Sequence, residues 1–203
     1  MFHVKHEGWE LATTVGLPLD DGQMAHLEDF ERLLLSDAAP MGMIGPSDAP
    51  VIRERHIIDS LRGLPHLPPA GLVADLGSGA GLPGIPLAIC RPDLGFVLVE
   101  VRRNRARFLR AAAERLRLSN VSVYGRRLET LTERFDLCTA RAFAPPAKTW
   151  QAATRVLRAT GVVVYWAGSG FDASRDLPNG VSSRLFAAPA LARSGPLVIM
   201  ARQ

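Results

Sequence analysis

Residues 72–89 read LVADLGSGAGLPGIPLAI, and this stretch decides the fold. Val73, Ala74 and Leu76 form an apolar run interrupted only by Asp75, the pattern of a short buried parallel strand that ends on a carboxylate. Gly77, Gly79 and Gly81 alternate with Ser78 and Ala80, so the backbone can bend sharply and a ligand can approach with no Cβ in its way. Pro83 and Pro86 fall at the start of an apolar helix, where a missing backbone N–H costs least. Strand, glycine turn and helix together predict a cradle for a nucleotide-type cofactor.

Two cofactors compete for it. From Gly79, the spacing Gly79, Gly81, Gly84 fits the dinucleotide fingerprint G-x-G-x-x-G, with Glu100 as an acidic residue at the end of the next strand. From Asp75, the pattern D-x-G-x-G-x-G resembles the first motif of S-adenosylmethionine-dependent methyltransferases, whose strand-end carboxylate serves the amino-acid end of the cofactor. A carboxylate at the lip of the cradle repels a diphosphate and suits a cationic ligand, which favours the methyl donor. On the motif alone an NAD-dependent oxidoreductase stays open.

The 203 residues suffice for one α/β domain with a full core and a short extension, and 47% apolar composition suits a globular protein. Asp, Arg, Gly and Pro interrupt every apolar run before the roughly eighteen residues that a membrane span needs. The opening MFHVKHEGWE has no signal-peptide apolar core, so cytoplasmic residence is the expectation. Cys90 and Cys138 lie in apolar stretches without metal-ligand spacing and read as buried, reduced thiols, with no metal site. Charge is uneven. Residues 1–50 hold two Lys/Arg against nine Asp/Glu, residues 51–127 thirteen against six, and residues 128–203 nine against five. A polyanionic partner on the cofactor half fits this distribution, as does a merely solvated arginine-rich helix.

Along the chain, Asp21 to Ser36 has apolar residues at helical spacing, with Asp20 or Asp21 as its cap. A second helix is predicted from Val51 to Leu64, carrying the run Arg55-His56-Ile57-Ile58-Asp59-Ser60. His56 and Asp59, three apart, share a helical face; the pair either orients an imidazole beside a cleft or satisfies a partly buried histidine. Phe96 to Val101 is a second strand that carries Glu100 to the glycine turn, where it can bind ribose hydroxyls of either cofactor. An arginine-rich helix follows to Leu118, then a strand at Val121–Tyr124 and a loop holding Arg127, Leu128 and Glu129. The fourth strand, Phe135 to Ala140, delivers Arg141 to the sheet edge where α/β ligands bind; it is read as functional rather than a structural cap. Further expectations are a helix at Trp150–Arg158, a fifth strand VVVYW after Gly161, and a final antiparallel pair at one sheet edge with a turn at Ser194-Gly195.

RHIIDS, DLGSGAGLPGIPLAI-x-RPD, R-x-R-FL and ARAFAP, in this order, resemble the glucose-inhibited-division protein B family, the RsmG-type small-subunit rRNA methyltransferases. The resemblance covers roughly residues 25–170. It implies a class I S-adenosylmethionine-dependent methyltransferase fold, a Rossmann-like sheet with helices on both faces. Residues 1–70 would form a helical extension and 71–203 the methyltransferase domain. It implies S-adenosylmethionine as donor and N7 of a guanine in 16S rRNA as acceptor, met as RNA or as a small-subunit particle, by a monomer. The cofactor site it implies comprises Asp75, Gly77, Gly79, Leu82, Glu100, Leu128, Glu129 and Arg141, with Arg141, Arg127 and His56 positioning the reactants. Guanine N7 carries a free lone pair, so holding it in line with the methyl–sulfur bond replaces a general base. The chain departs from the family at Asn104 and Ala167-Gly168, where lysines are usual. A non-catalytic RNA-binding module on the same fold is the third alternative.

Overall fold

The computed structural model describes residues 8–14, 16–191 and 194–203. Residues 1–7, read above for a leader, therefore lie outside the described residues. The strands are β1 (Leu72–Leu76), β2 (Gly95–Val99), β3 (Val121–Tyr124), β4 (Phe135–Arg141), β5 (Leu157–Trp166), β6 (Val181–Phe186) and β7 (Leu197–Arg202). They form one sheet in the order β3-β2-β1-β4-β5-β7-β6. The first five run parallel, and β7 is antiparallel to both β5 and β6. The chain moves outward from β1 to β3, then returns to the other side of β1 as β4. That reversal opens a crevice at the carboxyl ends of β1 and β4, the place where ligands bind in such sheets.

Helices cover both faces. They are α1 (Glu10–Thr14), α2 (Asp21–Leu33), α3 (Asp59–Leu61), α4 (Gly84–Cys90), α5 (Arg103–Arg115), α6 (Pro146–Ala153) and α7 (Ala173–Asp176). Asp20 caps α2 reciprocally: its Oδ1 accepts from the Gln23 amide at 2.8 Å, while Gln23 Oε1 accepts from the Asp20 amide at 3.1 Å. Helical backbone also runs through the π-helical segments Leu34–Ala38 and Arg53–Ile58. Leu27, Phe30, Ile52 and Ile57 from this N-terminal region bury against Ile85, Ile89, Phe108 and Leu109 of α4 and α5, so residues on both sides of position 70 share one buried cluster.

Strand alternation sorts the rest of the core. Ala74, Leu76, Cys138 and Ala140 face α6 and the turn at Leu128, whereas Val73 and Leu137 face the opposite layer with Leu87 and Trp166. Both cysteines are buried and unbridged, and burial pushes the thiols up, that of Cys90 to about 12. Among the described residues no helix is long and apolar enough to cross a membrane.

One predicted element moves. The helix expected at Trp150–Arg158 begins at Pro146, in the first-turn position proline favours, and ends at Ala153. Leu157 and Arg158 belong to β5, because Leu157 pairs with Phe135 across a register shift in β4, and Gly161 lies within the strand.

At Gly84, α4 packs against β1 and β2 with no room for a side chain. A Cβ there would stand 2.4 Å from Leu98 Cδ2 and 2.8 Å from Asp75 Oδ2. Gly84→Ala is expected to cost about 1–3 kcal/mol through overpacking. Gly168→Ala, which meets nothing within 4 Å, should be neutral. Urea midpoints of the two variants check this.

Candidate functional site

The carboxyl ends of β1, β2 and β4 enclose a cavity of about 670 Å³. Gly77 forms its floor; Glu100, Val101 and Arg105 line the β2 side, Leu128 and Glu129 the β3 side, and Phe143 the β4 side. Gly77 has φ +69°, and a Cβ there would lie 2.7 Å from the Phe143 ring. Only glycine fits both constraints.

Glu100 is 5% exposed and faces the turn. Its Oε2 accepts from the Gly79 amide at 3.1 Å and its Oε1 from the Arg102 amide at 2.8 Å. A diphosphate seated on the glycine amides would have to displace this carboxylate and lie beside its charge. A ligand presenting hydroxyls or a cation meets no such conflict.

Asp75 is not at the open lip. β1 continues to Leu76, and alternation points Asp75 into the layer under α4, where it is 0% exposed. Thr139 Oγ1 donates to its Oδ1 at 2.7 Å, and Oδ2 is buried with no hydrogen bond that meets normal geometry. Burial raises its pKa to about 6, against the opposing pull of Thr139, Ser78 and the nearby Gly84 amide, with Glu100 adding to the rise. The repulsion ascribed above to Asp75 therefore belongs to Glu100. Leu82 also turns from the cavity and packs on the N-terminal cluster.

Arg141 points the same way as Thr139, two residues earlier, and reaches the helix that bears RHIIDS. It donates to the Arg55 carbonyl at 2.9 Å and contacts His56 Nδ1 at 3.1 Å, with Asp59 Oδ2 at 3.5 Å. His56 and Asp59 are not a pair. The π-helical turn, in which the Asp59 amide bonds Glu54 O, spreads residues three apart away from each other. Arg141 joins them instead, and Asp59 Oδ1 is taken by Arg62 at 2.8 Å. His56 Nε2 lies 3.3 Å from Asp48 Oδ2, poorly aligned for a hydrogen bond. Burial first, then the Arg141 charge, lowers the His56 pKa against the pull of Asp48. Neither Arg141 nor His56 lines the cavity; Arg127 does.

Two sets of arginines differ in their partners. Arg53 pairs with Glu31, Arg55 with Asp48 and Arg115 with Asp37, which uses acidic residues of the N-terminal region. Arg102, Arg103, Arg105, Arg107, Arg126 and Arg127 form no ion pair among the described residues. Of these, Arg102, Arg105 and Arg127 line the cavity. Phe143 and Val101 escape the sequence reading as site residues; the local sign of Phe143 is an aromatic residue, in ARAFAP, just beyond a strand end.

The sequence profile described as rRNA small subunit methyltransferase G, or GidB, matches residues 23–173. The chain belongs to this family. It is 36% identical over 173 residues to the ribosomal RNA small subunit methyltransferase G of Corynebacterium diphtheriae, covering 83% of this chain and 76% of that one. The protein of the same name from Sorangium cellulosum is 42% identical over 141 residues, covering 66% of this chain and 59% of that one. In fold, the structure is similar to a SAM-dependent methyltransferase from Aquifex aeolicus, with TM-score 0.58 at 15% identity over 77% of this chain and 98% of that one. The fold is thus that of class I methyltransferases, and every residue named above as lining the cavity lies inside the GidB match.

The raised pKa of Asp75 has a signed consequence. Its folded form holds a proton that the unfolded chain has already lost, so this group's contribution to stability falls as pH rises from about 4 to about 6. Asp75→Asn removes the titration. Denaturation across that range should show wild type losing on the order of 3 kcal/mol relative to the variant.

Proposed function

We propose that this protein transfers the methyl group of S-adenosylmethionine to N7 of a guanine in 16S rRNA. The observation that carries the reading is the cavity at the carboxyl ends of β1, β2 and β4, lined by Gly77, Glu100, Leu128 and Glu129, in a chain that belongs to the GidB family. Glu100 would accept from the ribose hydroxyls, Leu128 would pack on the adenine, and Glu129 would meet its polar edge. Gly77 gives the amino-acid end a floor without a side chain. The bound donor supplies a sulfonium methyl; guanine N7 forms the new N–C bond with its own lone pair, and the electrons of the C–S bond leave to sulfur. No proton is removed at N7, so the residues need only hold the reactants in line.

Arg141 and His56 act from behind the cavity, as positioning residues that fix the end of β4 against the N-terminal helices. Arg127, with Arg102 and Arg105 of the same lining, holds the RNA backbone. A cytoplasmic location is part of this proposal, since that is where a 16S rRNA substrate would be met.

Calorimetry should show S-adenosylhomocysteine binding and no NAD binding, with Glu100→Ala weakening the former at least about tenfold. The purified protein should label 16S rRNA from cells that lack it, with the label mapped to one guanine N7 and the RNA affinity falling steeply with salt. Binding of NAD, or RNA binding without methyl incorporation, would overturn the proposal.

A further inference from the structure

We infer that the Phe143 ring is the platform on which the acceptor guanine stacks during transfer; the inference rests on the methyl-transfer reading above. Phe143 is 38% exposed, an unusual state for a phenylalanine beside a cavity that could bury it. Its exposure is not slackness. Arg141, two residues before, is fixed to the Arg55 carbonyl and to His56. Ala144, the next residue, has its carbonyl oxygen held twice, by Thr149 Oγ1 at 2.9 Å and by Tyr165 Oη at 3.1 Å. Between them Ala142 takes φ +52°, a left-handed conformation that costs a Cβ-bearing residue about 1 kcal/mol or more. The backbone on either side thus holds a strained turn, and its effect is to present an aromatic ring at the cavity edge.

The layout of the cavity fixes what the ring would meet. Glu100, Leu128 and Glu129 occupy the β2 and β3 side, Gly77 the middle and Phe143 the β4 side. A donor with its ribose on Glu100 and its adenine on Leu128 extends its other end over Gly77 toward Phe143. The acceptor must approach that end from beyond it, which is the side of the ring. Guanine offers a broad π face, and a base removed from an RNA stack loses stacking that an aromatic side chain restores. Arg102, Arg105 and Arg127 on the same cavity supply cations for the flanking phosphates.

Four proteins test this: wild type, Phe143→Ala, Phe143→Leu and Phe143→Tyr, each assayed for methyl transfer to unmodified 16S rRNA, S-adenosylhomocysteine affinity and melting temperature. The Ala and Leu variants are expected to lose about 10- to 100-fold in kcat/KM for RNA, with cofactor affinity within about twofold of wild type. Tyr should keep the rate within about threefold, since it retains the π face. Wild-type kinetics for Phe143→Leu would overturn the inference, because bulk alone would then suffice. A loss of cofactor affinity as large as the loss of rate would also overturn it and make the ring a wall of the donor site. A wild-type protein that neither binds S-adenosylhomocysteine nor labels rRNA would instead bring down the activity itself.

Discussion

The amides of Gly77 and Ser78 both donate to one acceptor, the carbonyl of Val99, at 2.9 and 3.1 Å. This doubled bond ties the end of β1 to the end of β2, and the rest of the site follows from it. The turn is folded back over the neighbouring strand, so the next residue, Glu100, arrives beside Gly79 and closes on its amide. The same carboxylate receives the Arg102 amide and thereby sets where α5 begins. Floor, acidic wall and arginine-bearing helix share one short network of backbone bonds. Because its members are largely withdrawn from water, leaving any of them unmade would cost far more than making it gains.

Charge is organised by subtraction. The acidic excess of the N-terminal region neutralises Arg53, Arg55 and Arg115, on surfaces that face the extension. Such partly exposed pairs contribute little to stability. Their larger effect is on the field: these three cations are masked, whereas Arg102, Arg105 and Arg127, which line the cavity, keep their potential over a screening length of about 10 Å. A net charge of +4 therefore understates how basic the cavity side is.

The β1–turn–α4 unit was legible because every signal in it is local: an apolar run, glycines in alternation and prolines at a helix start. Glu100 was legible as a residue just past a strand end in a parallel sheet, whereas Leu128 and Glu129 came from the family resemblance and not from a local signal. Asp75 shows the limit. Its strand runs on to Leu76, so alternation turns the carboxylate into a sealed layer under α4 rather than toward the open edge. His56 and Asp59 were separated by a widened helical turn, which the spacing within RHIIDS does not announce. The left-handed turn at Ala142 is the hardest case, since alanine carries no sign of it and the residues that hold it, Thr149 and Tyr165, come later in the chain.

The cluster shared across position 70 bears on how this chain is made. Leu27, Phe30 and Ile57 leave the ribosome before Ile85, Ile89 and Phe108, the residues that bury them. During synthesis the early helices therefore have an apolar face and nothing to cover it, and amphipathic helices of this length are marginal alone in water. Their order waits on α4 and α5, so for that interval the nascent segment depends on whatever shields greasy surfaces at the exit tunnel.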